Sequence, residues 1–217
     1  MKNTLIFDLD GTLLNTIDDL ANSLNHILAA NGYPTHSREA MMQMVGNGLS
    51  MLVARALPKG KEDPRFSAVF SEFCPYYEAH KADLTAPYPG IAEMLSALRA
   101  AGYRMAVVSN KKDAAVRELI PHYFGDLIPL AIGEHEGCAR KPAPDMVLAA
   151  LDALGATAAD AYLIGDSEVD VATAKNAGVD CLAVTWGFRS EQSLRENGAT
   201  ALFHTAAELA EFLLAGK

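Results

Sequence analysis

Two carboxylates stand one residue apart near the start of the chain. Asp8 and Asp10 directly follow an apolar run, within the stretch LIFDLDGTLLNT at residues 5–16. Like charges this close repel each other and resist removal from water, so a buried pair needs cations or hydrogen-bond donors to hold it. Carboxylates held in this way can supply a nucleophile, a general acid/base or the oxygen ligands of a hard cation.

Polar residues also follow three later segments that are predicted to be strands. Ser109 and Asn110 follow RMAVV, and Lys141 lies in the loop CARKPAP after LIPLAI. Asp166 closely follows AYLI, and Asp170 comes four residues later. Because ligands bind at the carboxyl ends of parallel strands, these side chains are expected to converge at one edge of a sheet.

Phosphoryl transfer through an aspartyl-phosphate uses these residue types. Asp8 would be the ionised nucleophile and would share a Mg²⁺ ion with Asp166, whose positive charge offsets the repulsion between carboxylates. Asp10 would protonate the leaving alkoxide and then deprotonate the water that attacks the aspartyl-phosphate.

Other residues would hold the phosphoryl group. Lys141 and the Ser109 hydroxyl are predicted to bind its oxygens and to stabilise charge in the transition state, and Asn110, next to Ser109, is a further predicted phosphate-binding residue. Gly11 permits a tight turn whose backbone N–H groups can also cradle phosphate. Thr12 fits either a turn role or a direct substrate contact.

The elements that position these residues alternate between strand and helix from residue 91 to the C-terminal end. A doubly wound parallel sheet with helices on both faces is therefore predicted, which is an α/β fold class. The predicted strands are 4–7, 104–108, 127–132, 161–164, 181–185 and 201–203, and the predicted helices are 91–101, 112–119, 144–154, 169–177 and 206–214.

A helical insertion is predicted between the first strand and the rest of the sheet. Helical patterns begin at Thr16, run from 37 to 57 with a break at VGNG, and resume near Asp63, with no convincing strand between them. We therefore expect an α-helical cap domain at 15–84 and a catalytic core made of 1–14 and 85–217. The linkers around Asn15 and at 85–88 are the expected hinges for closure of the cap.

Composition excludes several classes of function. The chain has 217 residues, half of them apolar, and a formal charge of -9, and it has no long basic run, so no nucleic-acid partner is expected. Three widely spaced cysteines suit reduced thiols, and no apolar segment approaches membrane-spanning length. These features predict a cytoplasmic protein without a membrane partner, and they leave monomer and homodimer open.

Four motifs, in order, resemble those of the haloacid dehalogenase superfamily. DLDGTL is similar to its first motif, VVSN to its second, Lys141 to its third and GDSEVD to its fourth. The resemblance covers essentially the whole chain and implies a Rossmann-like core with an inserted helical cap. It also implies that Asp10 gives its backbone carbonyl to Mg²⁺, that Asp166 ligates the ion and that Asp170 supports the metal site. Asn15 departs from the pattern, since many members have an acid there.

Within this superfamily the chain looks most like the phosphoglycolate phosphatases, so the expected substrate is a small phosphorylated metabolite, 2-phosphoglycolate. Arg55 lies about two helical turns after Gly48 and could pair with a substrate carboxylate. An arginine that is simply exposed to solvent fits the sequence at least equally well. A sugar-phosphate mutase, a pyrophosphatase or a nucleotide phosphatase on the same core stays open. The non-enzyme alternative is a phospho-accepting receiver module, which is shorter and lacks a cap.

Overall fold

A computed structural model describes residues 2–216 of the chain, which divides into two compact units. One unit contains the chain up to Leu14 and again from Pro87 onward, and the other unit is Asn15–Ala86. The chain passes from one to the other at two short strands, β2 (Leu14–Asn15) and β3 (Ala86–Pro87), which pair with each other.

The larger unit is built on a parallel sheet, which confirms the predicted α/β fold class. Within residues 2–216 the sheet has six strands in the order β5-β4-β1-β6-β7-β8. β1 lies near the centre, and Phe7, its last residue, pairs with Val107 on one side and Ile164 on the other. The strands are β1 (Thr4–Phe7), β4 (Arg104–Lys112), β5 (Leu130–Glu134), β6 (Ala161–Gly165), β7 (Asp180–Val184) and β8 (Ala201–Phe203).

Helices cover both faces of this sheet and enclose two apolar layers. Residues of a parallel strand are buried on both faces, and β1 is fully buried along its length. Phe7 packs in one layer and Ile6 in the other. The helices of this unit are α5 (Ile91–Ala100), α6 (Asp113–Phe124), α7 (Asp145–Ala153), α8 (Glu168–Ala177), α9 (Glu191–Glu196) and α10 (Ala206–Ala215), with 3₁₀ turns at Gly125–Leu127 and Ala158–Asp160.

Two strand boundaries differ from the prediction in a way that matters for the site. β4 continues to Lys112, so Ser109 and Asn110 lie within the strand and not after it. β5 begins at Leu130 and not at residue 127, because the 3₁₀ turn occupies Gly125–Leu127. The register between β4 and β5 shifts between Val108 and Lys112, and Lys112 pairs with Glu134 beyond the shift, so Ser109, Asn110 and Lys111 lie in an irregular part of β4.

The smaller unit is helical, with α1 (Ile17–Ala30), α2 (Arg38–Met44), α3 (Leu49–Ala56) and α4 (Phe66–His80), and a 3₁₀ turn at Gly60–Glu62. The VGNG break is the connection between α2 and α3. Buried Asp19 on α1 fixes the segment that leads into β3. Its carboxylate accepts hydrogen bonds from the backbone N–H groups of Leu84 and Thr85 and from the Thr85 hydroxyl. Thr16 precedes α1 as predicted, but its side chain makes no capping hydrogen bond.

No helix among the described residues has both the length and the apolar character needed to cross a membrane.

The start of α6 is held to β5 by Asp113. Its Oδ1 accepts from the Gly133 N–H at 2.9 Å, and its Oδ2 accepts from Arg117 Nε at 2.5 Å. Burial alone would raise the pKa of Asp113, but these two donors lower it below the ordinary value. The carboxylate therefore stabilises the fold above its unfolded pKa, and this stabilisation is lost as the pH falls through the lower, folded pKa.

We predict that Asp113→Asn lowers the free energy of unfolding by about 1 kcal/mol near neutral pH, allowing for the partial exposure of the carboxylate. The difference from wild type should shrink as the pH falls below the ordinary aspartate range. Urea unfolding followed by circular dichroism across this pH range measures it, with the exposed Asp126→Asn as the control. A difference that does not change with pH would contradict the assignment.

Candidate active site

A buried lysine lies between two carboxylates at the carboxyl edge of the sheet. Lys141 Nζ is 2.7 Å from Asp8 Oδ1 and 2.7 Å from Asp170 Oδ1. Lys141 is 3% exposed, Asp8 8% and Asp170 0%, so solvent screens these contacts little. Burial alone would lower the pKa of Lys141, but the charges of Asp170 and Asp8 outweigh it and raise the pKa above the ordinary value. Lys141 is therefore a permanent cation at this edge.

Asn110 fixes the loop that carries Lys141. Its side-chain amide donates to the Lys141 carbonyl at 2.9 Å, and its side-chain oxygen accepts from the Lys141 N–H at 2.8 Å. These two bonds join the end of β4 to the loop after β5. Asn110 was predicted to bind phosphate, but its side chain here holds the backbone of Lys141, which was also predicted to bind phosphate.

Asp170 is bound by its own helix as well as by Lys141. Ser167 precedes α8, and its backbone N–H and hydroxyl both donate to Asp170 Oδ2, at 3.1 and 2.6 Å. This is a capping box, in which the third helical residue reaches back to the residue that starts the helix. With Lys141 on Oδ1, three of the roughly four lone-pair sites of this carboxylate are filled. Asp170 is therefore best placed to orient Lys141.

Asp166 begins the loop after β6 and is held by two other segments. Its Oδ1 accepts from the Thr12 hydroxyl at 3.1 Å, and its Oδ2 accepts from the Phe188 N–H at 2.7 Å. Burial raises the pKa of Asp166 to about 7, Asp170 adds to the effect, and the Phe188 N–H opposes it. The two donors to Asp166 are neutral groups, and with the charge of Lys141 they offset the effect of burial only in part.

Asp8, Asp166 and Asp170 form a cluster that suits a hard cation. Ligand oxygens from the three carboxylates lie within 4.8 Å of one another, and all three residues are buried. Burial raises the pKa of Asp8 well above its ordinary value, against the opposing effect of Lys141. Both described donors to Asp8, Lys141 Nζ and the Leu9 N–H at 2.7 Å, bond to Oδ1, which leaves Oδ2 for a ligand. Carboxylate oxygens in such a set are typical Mg²⁺ ligands.

Asp10 lies beside a second lysine. Lys111 Nζ donates to Asp10 Oδ1 at 3.0 Å, and the two side chains are 9% and 20% exposed. The Lys111 backbone N–H donates to Ser109 Oγ at 3.1 Å. Since that oxygen accepts from Lys111, the Ser109 hydroxyl hydrogen can point to another acceptor, such as a phosphoryl oxygen.

Gly11 lies where the turn after β1 passes close to Asp166. Its φ is +89°, and an added Cβ would lie 2.4 Å from Asp166 Oδ2. Gly187 approaches from the loop after β7, where an added Cβ would lie 2.3 Å from the Gly11 carbonyl oxygen. Trp186, next to it, donates from Nε1 to the Thr12 carbonyl at 3.0 Å. The turn and the loop therefore pack together around Asp166.

The structure brings nine of the ten residues singled out in the sequence to the carboxyl edge of this sheet: Asp8, Asp10, Gly11, Thr12, Ser109, Asn110, Lys141, Asp166 and Asp170. Arg55 belongs to the helical unit, where it is exposed and its Nη1 donates to the carbonyls of Met44 and Gly46, both at 2.7 Å. Its contacts thus hold the VGNG connection, and its pairing with a substrate carboxylate stays a prediction.

Sequence reasoning missed Lys111 and the loop after β7. Lys111 directly follows VVSN, and only its side-chain contact distinguishes it from the exposed Lys112. The loop at 185–189, TWGFR, could have been found by examining the carboxyl end of the fifth predicted strand as the others were examined. Its contribution comes mainly from backbone atoms and from Trp186, which carry no charge to mark them.

Comparison with known proteins places this geometry in a family. The model of the haloacid dehalogenase-like hydrolases matches residues 5–184. The chain belongs to this family. The resemblance inferred from the four motifs is confirmed, and so is the prediction that the protein is a hydrolase.

Relatives with assigned functions are similar over nearly the whole chain. A phosphoglycolate phosphatase of Rhodospirillum rubrum is 35% identical and aligns with 98% of this chain and 91% of its own. Phosphoglycolate phosphatase 1 of Pseudomonas aeruginosa is 33% identical, with coverage of 96% and 79%.

Solved structures share the fold in detail. A crystal structure from Lactobacillus delbrueckii subsp. bulgaricus, provisionally assigned as a phosphoglycolate phosphatase, has a TM-score of 0.94 at 36% identity and covers 98% of this chain and 99% of its own. One from Haemophilus somnus, a predicted phosphoglycolate phosphatase, has a TM-score of 0.88 at 27% identity, with 98% of both chains covered.

We predict that Gly11→Ala is more destabilising than the same change at a glycine with open space around it. Gly155 also has a positive φ, +58°, but nothing lies within 4 Å of an added Cβ, so Gly155→Ala should cost about 1 kcal/mol for conformation alone. Gly11→Ala should cost about 1–3 kcal/mol more because its methyl group collides with Asp166. Urea unfolding of both variants measures the difference, and equal losses would show that the contact with Asp166 relaxes without cost.

Proposed function

We propose that the protein is a Mg²⁺-dependent phosphatase that hydrolyses 2-phosphoglycolate through an aspartyl-phosphate on Asp8. The observation that carries the chemistry is the contact of buried Asp8 with Lys141 at 2.7 Å, beside the carboxylates of Asp166 and Asp170. The names and the 31–35% identity of the relatives support the choice of substrate.

Each residue has a role that follows from its contacts. One oxygen of the Asp8 carboxylate would attack phosphorus, while Lys141 holds this carboxylate and offers a cation to a phosphoryl oxygen. The Ser109 hydroxyl would donate to another phosphoryl oxygen, since Ser109 Oγ already accepts from the Lys111 N–H. Asp10 would protonate the leaving alkoxide and later accept a proton from the attacking water. Hydrogen-bond donors fixed before the reaction stabilise developing charge without reorganisation.

The residues present fit a hard divalent cation. Asp8 and Asp166, together with the Asp10 backbone carbonyl, would hold Mg²⁺, and Asp170 would support them through Lys141. When bound, the ion would offset the carboxylate repulsion and polarise a phosphoryl oxygen. Asp166, held by Thr12 and Phe188, already has a fixed orientation for this purpose.

We predict Mg²⁺-dependent release of inorganic phosphate from 2-phosphoglycolate, with kcat/KM well above that for pyrophosphate, nucleotide monophosphates and sugar phosphates. EDTA should abolish the release. Asp8→Asn should lower kcat by at least roughly 10³-fold because the nucleophile is lost, while its circular dichroism spectrum stays native. A near-normal rate in Asp8→Asn would disprove the nucleophile, and preference for another ester would disprove the substrate.

We also predict that Mg²⁺ stabilises the fold through the acidic cluster. A cation that binds only the folded chain should, at about 100 times its Kd, add about 2.7 kcal/mol, which is roughly 5–10 °C in Tm for a chain of this size. Asp166→Asn should remove most of this shift, and Asp152→Asn, an exposed acid outside the cluster, should keep it. Thermal unfolding with Mg²⁺ or EDTA measures the shift, and equal shifts in both variants would place the ion elsewhere.

A further inference from the structure

A second lysine lies at the carboxyl edge of the sheet, apart from the contacts of Lys141. Lys111 ends the run VVSNK on β4, and its ammonium donates to Asp10 Oδ1 at 3.0 Å. The Lys111 side chain is 9% exposed and that of Asp10 is 20% exposed. Lysines are seldom this buried unless the charge has a partner, and Asp10 is that partner here. The neighbouring Lys112 is exposed.

We propose that Lys111 is a positioning residue that decides which oxygen of Asp10 exchanges the proton during hydrolysis. This inference rests on the proposed function, in which Asp10 is the general acid/base. An ammonium group has three donors and no acceptor, so the oxygen it contacts must offer a lone pair. Lys111 therefore keeps Oδ1 as an acceptor, and the proton is carried on Oδ2.

The reaction then has a defined path for the proton. In the first half, the Asp8 carboxylate forms a bond to phosphorus, the phosphorus–oxygen bond to the alcohol breaks, and the leaving oxygen takes the proton from Asp10 Oδ2. In the second half, water attacks phosphorus, Asp10 Oδ2 takes its proton, and the electron pair of the breaking bond returns to Asp8. The same oxygen gives and receives the proton, so Asp10 does not have to rotate between the two halves.

The backbone of Lys111 makes this arrangement rigid. Its N–H donates to Ser109 Oγ at 3.1 Å, and Asn110 between them is fixed to the Lys141 backbone by two hydrogen bonds. The end of β4 thus anchors the Lys111 main chain from which the side chain reaches Asp10. A misplacement of a catalytic group by about 1 Å can lower a rate about 10²-fold, so efficient proton transfer requires an anchored lysine.

The leaving group distinguishes this role from other roles of a lysine. The alkoxide of 2-phosphoglycolate must be protonated as it leaves, whereas p-nitrophenyl phosphate releases a stable phenolate that needs no proton. Loss of a residue that orients the general acid should therefore slow the phosphorylation of Asp8 by 2-phosphoglycolate. It should leave the rate of phosphorylation by p-nitrophenyl phosphate unchanged. A lysine that binds the substrate carboxylate would change KM for 2-phosphoglycolate instead.

The experiment is rapid-quench measurement of phosphoenzyme formation in wild type, Lys111→Met and the matched control Lys112→Met, with Mg²⁺ present. In Lys111→Met, phosphorylation by 2-phosphoglycolate should slow by about tenfold to 100-fold. This loss is smaller than the roughly 10²–10⁴-fold contribution of general acid–base catalysis, because Asp10 itself is still present. Phosphorylation by p-nitrophenyl phosphate should stay within about threefold of wild type, a small difference for a step without proton transfer. Lys112→Met should match wild type with both esters.

Two further variants keep the result interpretable. Lys111→Gln retains an N–H donor and should fall between wild type and Lys111→Met, which guards against a folding defect in the methionine variant. In an Asp10→Asn background, Lys111→Met should have little further effect on 2-phosphoglycolate, because residues that act together are not additive.

The role of Lys111 and the proposed function fail in different measurements. Equal slowing with both esters, or a higher KM for 2-phosphoglycolate with unchanged kcat, would overturn the positioning role of Lys111 and leave the proposed function intact. Failure of wild type to form a phosphoenzyme with either ester would overturn the proposed function itself.

Discussion

The contact of one buried ammonium with two buried carboxylates organises this edge of the protein. Removing any one of these charges from water is costly, and removal of one partner would leave the others uncompensated. Three acids, Asp8, Asp166 and Asp170, face the single charge of Lys141, so with all acids ionised the group carries a net charge of -2. A divalent cation would balance that charge. The acidic cluster of this hydrolase thus suits a metal ion because of the charge that the fold leaves unpaired.

The parallel sheet explains how residues far apart in sequence meet here. The functional side chains lie in the last part of a strand, in the loop after it or at the start of the next helix. Nearby residues fix their orientation: Asn110 holds the loop of Lys141, Ser167 holds the Asp170 carboxylate and Phe188 holds the Asp166 carboxylate. These supporting contacts are mostly to backbone atoms. The side chains are therefore oriented before any ligand arrives, which is what electrostatic stabilisation of a transition state requires.

The fold class and most of the candidate site could be predicted because their signals lie in side-chain type and order. Alternating apolar segments predict the sheet, and acids after strands predict the cluster. Lys111 could not be separated from Lys112 by residue type, since only the irregular end of β4 decides which of them is buried. The carbonyl contacts of Arg55 depend on the conformation of the VGNG connection, where Gly46, Asn47 and Gly48 all have positive φ. No periodic pattern encodes such a turn.

The position of Trp186 gives the protein an internal optical probe. It is the one tryptophan in the sequence, and its indole N–H donates to the Thr12 carbonyl. Thr12 directly follows Gly11, and its hydroxyl donates to Asp166. Tryptophan emission responds to the polarity and hydrogen bonding around the indole ring, so the tryptophan fluorescence of the chain, excited apart from that of its tyrosines, reports on this one turn. A ligand that moves Asp166 would act on this turn through Thr12, so we expect its binding to change the tryptophan emission without a label or a coupled assay.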